Sequence, residues 1–176
     1  MRVIAGSLGG RQFSAPHGHL THPMSDKMRG ALFNSLGDIE GLAVLDAFAG
    51  SGALSFEAIS HGAAHATAID SDRHAQLTVS RNIQELGLRD KVKLIKASAN
   101  AWLGTTADTF DLVLLDPPYQ DRQLTLLKRL ADRTKTGGLT VFSLPPNQKL
   151  ELDDKFELLL AKNYGDSQLL FYRRAT

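Results

Sequence analysis

Asp46-Ala47-Phe48-Ala49-Gly50-Ser51-Gly52 follows the apolar residues Ala43-Val44-Leu45 and leads into Ala53-Leu54-Ser55-Phe56. The stretch reads as a strand, a tight turn and the start of a helix. Glycine lets the backbone turn sharply and approach a ligand closely, and the amides at a helix start face such a turn. Asp70 stands twenty residues after Gly50 and closes the next apolar run, 66–70. A doubly wound nucleotide site carries an acid for ribose hydroxyls at that position.

Outward from this element the pattern is strand and helix in alternation. Strands are predicted at 43–46, 66–70, 92–96, 110–116 and 139–144. A helix follows Gly52 and ends at Gly62, and another holds Ala75, Val79, Ile83 and Leu86 on one stripe before Gly87. A third carries Leu124, Leu127, Leu130 and Ala131 and is expected to run to Gly137-Gly138. Apolar strands between amphipathic helices predict an α/β fold, a parallel sheet covered on both faces. Upstream, Ser25 is a plausible N-cap and Asp26 a first-turn acid for a helix with Met28, Leu32 and Leu36 on one face. Two β-prone pieces, 2–5 and 11–13, flank Gly6-Ser7-Leu8-Gly9-Gly10 and suggest a hairpin. Segments 156–162 and 168–174 around Tyr164-Gly165-Asp166 suggest a closing hairpin. No repeat or linker divides the chain, so 1–176 is read as one domain, with 1–22 as an extension and 23–176 as the core.

Composition excludes several classes. There is no cysteine, hence no disulfide and no thiolate nucleophile or metal site. The 43% apolar and 22% charged content is that of a globular protein, and no apolar run reaches spanning length. The start, Met1-Arg2-Val3-Ile4-Ala5-Gly6, lacks a signal-peptide core, so a cytoplasmic location without an anchor is expected. Net charge is +1, but residues 1–37 hold Arg2, Arg11, Lys27 and Arg29 against Asp26 alone. That segment is therefore +3 and the other 139 residues −2. These four cations are the candidate nucleic-acid-binding set, thin enough that shape must supply part of any nucleic-acid recognition. His17, His19 and His22 lack further ligand spacing and read as loop surface; no metal site is expected.

The chemistry centres on Asp116-Pro117-Pro118-Tyr119, directly after the run 110–115. Proline brings no competing N–H, and Pro118 forces Pro117 into an extended conformation that fixes the direction of its carbonyl. A carboxylate, rigid carbonyls and an aromatic face together form a receptor for a planar group bearing NH2. Asp116 and the Pro117 carbonyl can accept both amine hydrogens, which localises the nitrogen lone pair, while Tyr119 stacks on the ring. The glycine loop by itself admits two ligand classes. A dinucleotide would want G-x-G-x-x-G, but the third glycine position is Ser55, and Asp46 would repel phosphate. S-adenosylmethionine carries a sulfonium and an ammonium and no phosphate, which Asp46 suits. Asp46, Asp70 and Asp116 all fall at strand ends, where such sheets bind ligands.

These residues resemble class I S-adenosylmethionine-dependent methyltransferases of the amino-methylating branch. The wider chain is similar to the bacterial ribosomal small-subunit methyltransferase D family, which methylates guanine N2 in 16S rRNA. The resemblance rests on Arg2-Val3-Ile4-Ala5-Gly6 with Gly10-Arg11, on Pro23 and Asp26-Lys27-Met28-Arg29 through Asn34, on 44–54, and on Tyr164-Gly165-Asp166. It implies a Rossmann-like, mostly parallel seven-stranded sheet with helices on both faces and a small N-terminal β-hairpin that helps hold rRNA. It further implies a monomer acting on the small ribosomal subunit or an assembly intermediate, with guanine 966 as the family target. By position, Asp46, Phe48, Gly50 and Gly52 would line the cofactor loop, Asp70 the ribose, and Asp116, Pro117, Pro118 and Tyr119 the guanine. Two departures stand out. His22 occupies a usual arginine position, and Ser98 replaces the acid expected near the adenine, where Ser98 or Asn100 could substitute. Adenine N6 in DNA or a protein glutamine would offer the same planar amine. The absence of a DNA-reading domain counts against sequence-specific DNA. A non-catalytic RNA-binding assembly factor is the remaining alternative, against which the three acids speak.

Overall fold

The computed structural model describes residues 1–18, 23–120 and 123–175. Seven strands form one sheet: β1 (Ala43–Asp46), β2 (His65–Asp70), β3 (Val92–Lys96), β4 (Phe110–Leu115), β5 (Thr134–Leu144), β6 (Phe156–Tyr164) and β7 (Ser167–Arg174). Their order is β3-β2-β1-β4-β5-β7-β6; the first five are parallel, and β7 lies antiparallel between β5 and β6. The chain runs outward from β1 to β3 and then returns to β4 on the other side of β1. The order therefore reverses between β1 and β4, where ligands bind in such sheets.

Val44, Leu45 and residues 112–115 are buried without alternation because helices cover both faces. The strand period of two sorts them. Val44, Leu112 and Leu114 pack with α1 (Asp26–Leu36), α2 (Ala53–Ser60) and α3 (Arg73–Glu85). Leu45, Val113 and Leu115 pack with α4 (Ala99–Leu103) and α5 (Leu124–Ala131). Side-chain caps start three of these helices: Ser25 accepts from the Met28 amide, Asp72 from Ala75 and Ser98 from Ala101.

One local expectation changes. Helix α5 ends at Ala131, and β5 begins at Thr134 and runs through Gly137-Gly138, where a helix stop was expected. Thr134 and Thr136 favour extended backbone, and the strand needs glycine at 138, where a Cβ would lie 2.6 Å from the Asp111 carbonyl oxygen. Helix α4 carries no long stripe to announce it; Trp102 and Leu103 bury into the core from it. Asp111, near the start of β4, accepts from the Ala43 amide at 2.8 Å and Lys135 Nζ at 3.1 Å.

The N-terminal hairpin is reduced to a single antiparallel bridge between Arg2 and Gln12. Backbone bonds between its two pieces, such as Val3 N–H to the Arg11 carbonyl and Phe13 N–H to the Met1 carbonyl, accompany that bridge, and helix side chains take further amides. Glu57 of α2 accepts from the Ile4 and Ala5 amides at 2.9 and 3.0 Å, and Ser60 accepts from the Leu8 amide at 2.8 Å. Buried Glu57 also pairs with buried Arg29 of α1 at 3.3 Å, and Arg29 donates to the Arg2 carbonyl at 2.6 Å. Replacing Glu57 by alanine removes the buried partner of the Arg29 charge and leaves it only the half-exposed Asp26 carboxylate. Glu57→Ala is expected to cost about 3–5 kcal/mol of stability, read as a fall in the urea unfolding midpoint, with faster proteolysis within residues 1–13. A midpoint equal to the parent's would show that Arg29 has found other compensation.

Candidate active site

Asp46 ends β1, Asp70 ends β2, and Asp116 follows β4 by one residue. Since β1 pairs with both β2 and β4, with Asp46 in register with Ala68 and Leu114, the three acids share one edge of the sheet. Each has its carboxyl pushed upward by burial. Asp46 rises to about 7, with Asp116 and Asp70 adding repulsion and the Ser55 hydroxyl working the other way. Asp116 rises to about 6, lowered in part by a hydrogen bond to Ser143. Asp70 is raised less, because the Gly50 and Asp72 amides each donate to it at 2.8 Å.

Asp46 is the most constrained of the three. Its Oδ2 accepts from the Ser55 amide at 3.2 Å and the Ser55 hydroxyl at 2.7 Å, which ties the strand end to the first turn of α2. Its Oδ1 is buried without a hydrogen-bond partner, as is Gln148 Oε1 among the described residues. The intervening loop needs its glycines. Gly52 sits at φ 86°, and a Cβ there would lie 2.5 Å from the Phe56 ring. Gly50, at φ 56°, faces open space. This donor and acceptor set fits the S-adenosylmethionine implied by the resemblance: an orphan buried acceptor suits an ammonium, and Asp70 keeps lone pairs for ribose hydroxyls.

The remaining predicted residues divide. Phe48 is half-buried on the loop and Pro117 is buried behind Asp116. Pro118 and Tyr119 are partly exposed, and the Tyr119 hydroxyl donates to Ser167 at 2.8 Å. Exposed Ser98 caps α4, and Asn100 Oδ1 accepts from Arg129 at 2.7 Å, so that amide oxygen is already engaged. Among the proposed RNA-binding cations, Arg29 is a correction. It is fully buried and held by Glu57 and Asp26, so it is a structural cation. Arg11 is exposed, but its guanidinium caps α3, donating to the Glu85 and Leu86 carbonyls at 3.1 Å. Arg2 pairs with Asp26 at 3.2 Å, and Lys27 is exposed. His17 is exposed, while His19 and His22 lie outside the described residues.

Sequence reasoning missed Asn82. Fully buried on α3, it donates to the Ser14 carbonyl at 2.9 Å and to the Ser51 carbonyl at 3.1 Å. Its Oδ1 accepts from the Ser14 amide at 3.0 Å. One side chain thus joins the N-terminal arm to the glycine loop. The only signal was a polar residue beside Val79 and Ile83 on the buried stripe.

The family described as conserved hypothetical protein 95 matches residues 1–173. The chain belongs to this family. As a conserved hypothetical protein 95 member it is 38% identical over 136 residues to YlbH of Bacillus subtilis, provisionally named an rRNA methyltransferase, covering 75% of this chain and 74% of that one. It is 34% identical over 121 residues to ribosomal RNA small subunit methyltransferase D of Escherichia coli, covering 68% of this chain and 61% of that protein's length. The structure of yhhF from Escherichia coli, described provisionally as a methyltransferase, superposes with a TM-score of 0.89 at 28% identity, covering 99% and 98% of the two chains. The family member's fold is that of class I methyltransferases.

The raised acids make a stability prediction. Between the ordinary aspartate value of 3.8 and about 7, folded Asp46 holds a proton that the unfolded chain has released. Its contribution therefore makes stability fall as pH rises through that window. Asp46→Asn keeps a neutral side chain at every pH. The unfolding free energy of Asp46→Asn relative to the parent should grow between pH 4 and pH 8, by roughly 1–4 kcal/mol. A difference independent of pH in urea titrations would mean that Asp46 ionises normally in the fold.

Proposed function

We propose that this protein transfers a methyl group from S-adenosylmethionine to the exocyclic N2 amine of a guanine in small-subunit (16S) ribosomal RNA. The observation that carries the reading is Asp116-Pro117-Pro118-Tyr119 one residue beyond β4, beside the Asp46 carboxyl and the glycine loop that follows it. The relatives named for methylation of small-subunit rRNA support this class of acceptor.

S-adenosylmethionine supplies an electrophilic methyl group carried on a positively charged sulfur. Asp46 would hold the ammonium through its unpartnered Oδ1, and Asp70 the ribose hydroxyls. Phe48, Gly50 and Gly52 would form the wall, with Ser98 toward the adenine. The Asp116 carboxylate and the Pro117 carbonyl accept the two N–H hydrogens of the guanine amine, drawing its lone pair out of conjugation. Buried Pro117 keeps its carbonyl direction fixed, so this acceptor pair is preorganised. Tyr119 stacks on the base and sets its plane. The base must leave its stack to reach Asp116, which costs least for an unpaired nucleotide. Arg2, Arg11 and Lys27 remain the RNA-facing cations, and the protein acts as a monomer on the subunit or its precursor.

The test is label transfer from S-adenosylmethionine to unmethylated small subunits, naked 16S rRNA, DNA and a protein mixture, followed by nucleoside analysis. N2-methylguanosine from the subunit or its RNA is the expected product. Label on adenine or on protein would overturn the acceptor. Asp116→Ala should lower kcat by about 10²–10³-fold while S-adenosylhomocysteine binds with nearly the parent's affinity; equal turnover would remove Asp116 from the mechanism. In the parent, kcat/KM should rise with pH through about 6 as Asp116 ionises.

A further inference from the structure

Cations ring the β3 edge of the sheet. β3 is the outermost strand and pairs with β2 alone, and α3 packs on both. Arg73 and Arg81 stand on α3, Arg89 and Lys91 lie between α3 and β3, and Lys93 and Lys96 belong to the strand. All six side chains are exposed. None takes part in an ion pair among the described residues. Against these six cations, residues 72–96 hold the acids Asp72, Glu85 and Asp90, so the segment is +3. That equals the formal charge of the N-terminal segment, where Arg29 is buried and Arg2 is paired with Asp26. Here every cation faces solvent.

The cations are ordered along the edge. Buried Ala75, Val79, Asn82 and Ile83 fix the inward side of α3. Arg73, Leu77 and Arg81 recur at four-residue intervals on the outward side, with the two arginines about 12 Å apart along the axis. Leu77 is 58% exposed, so an apolar surface stands in water between two guanidinium groups. Lys96 is in register with Asp70, and Arg73 follows Asp70 by three residues. One end of the flank therefore adjoins the candidate ribose site. From Lys96 the chain runs back to Lys91 over about 17 Å. At the other end Arg11 of the N-terminal arm lies on the Glu85 and Leu86 carbonyls, which close α3, and adds its charge. The flank joins the reaction site to the arm.

We propose that the α3–β3 flank is the docking surface for the sugar–phosphate backbone of the acceptor RNA, on the strand that leads away from the acceptor base. The inference rests on the rRNA reading of the site and adds to it the path of the substrate. Exposed guanidinium and ammonium groups without protein partners release counterions when they meet phosphates, which supplies affinity without regard to sequence. Such contacts set position, while the choice of base stays with the strand-end acceptors and the shape of the RNA. Leu77 and the guanidinium planes beside it offer a base or ribose a flat contact between phosphates. An acidic protein would satisfy the same charges. The RNA is favoured because the flank is continuous with the site that its base must reach.

Two binding measurements test this without turnover. Arg73→Gln with Arg81→Gln removes two charges from the flank and keeps a residue of similar helix propensity. Lys128→Gln with Arg173→Gln removes the same charge from exposed positions on α5 and β7, away from the β3 edge. Binding of an unmethylated 16S rRNA transcript and of unmethylated small subunits is followed from about 50 to about 200 mM salt. The α3 pair should lower the logarithmic salt slope by about 1.4 and the affinity at about 0.15 M salt by roughly tenfold. The control pair should leave both near the parent values. The chain has no cysteine, so Leu77→Cys and Lys128→Cys each carry a single thiol for a photoactivated crosslinker. RNA should be captured from position 77 and not from position 128. Equal losses in the two pairs, or capture of ribosomal protein alone from position 77, overturn the proposal. A parent that methylates no acceptor, with the α3 pair still lowering the salt slope, defeats the proposed function and leaves the docking surface standing. A parent that methylates rRNA, with the two pairs alike, does the reverse.

Discussion

Asp46 ends a strand whose two neighbours also end in acids, and the arrangement of the site follows from that crowding. Its carboxyl is closed to water, bonded on one oxygen by the first turn of α2 and unsatisfied on the other. A buried carboxylate costs several kcal/mol unless it is paired, and here the nearest charges, Asp116 and Asp70, have the same sign. Two states relieve the conflict. The group can take a proton, as its upward shift to about 7 expresses, or a cation can occupy the space beside it. A phosphate-bearing ligand would worsen the conflict and an ammonium would remove it, so this one carboxyl discriminates between ligand classes before any shape is considered.

Asp46 works because the loop after it is held from behind. Gly52 leaves room for the Phe56 ring, Phe56 meets Phe13 edge to face at 5.3 Å, and Asn82 ties the Ser51 carbonyl to Ser14. The N-terminal arm is thus a strut of the cofactor loop, fastened by buried polar groups rather than by strand pairing. Glu57 and Arg29 extend the same fastening to α1 and α2. Buried ion pairs of this kind add little net stability compared with an apolar core, but they penalise any arrangement that separates them. Arm and loop therefore behave as one body, and a contact made at the arm is made against the frame that positions the loop.

The parts of the molecule legible in the sequence are those governed by local periodicity and turn chemistry. Strands β1 and β3 fall at the expected residues, and β4 within one residue of its expected end, because continuous apolar runs bounded by acids or turns leave little choice. The end of α5 is not legible locally because Gly137-Gly138 resembles a helix stop, whereas Gly138 serves a close approach between adjacent strands. Arg29 resembles a surface cation in sequence because its buried partner, Glu57, is 28 residues away and no local pattern joins them. Asn82, Glu57 and Ser143 share that difficulty. Each is a polar residue in an apolar environment, and its reason for being there is a partner on another element. Such pairings depend on tertiary topology, which single-sequence periodicity does not encode.

With ribosomal RNA as the proposed acceptor, three carboxyls at the reaction centre pose an electrostatic problem, since the approaching chain is a polyanion. The acids can remain there because the reacting group is a neutral base carrying N–H donors, with its phosphates held at a distance. The N-terminal segment carries a net positive charge, but its formal +3 overstates what faces solvent. Arg29 is neutralised in the core by Glu57, and Arg2 shares the charge of Asp26. Arg11 spends its hydrogen bonds on carbonyl oxygens but keeps its charge, and Lys27 stands exposed. Each phosphate contact to single-stranded nucleic acid contributes a salt dependence of about 0.7 in the logarithmic slope. A segment with so few uncompensated cations therefore supplies a weak, shallow electrostatic attraction. On the proposed function, recognition would then lean on the shape of a folded acceptor that already presents its base unpaired.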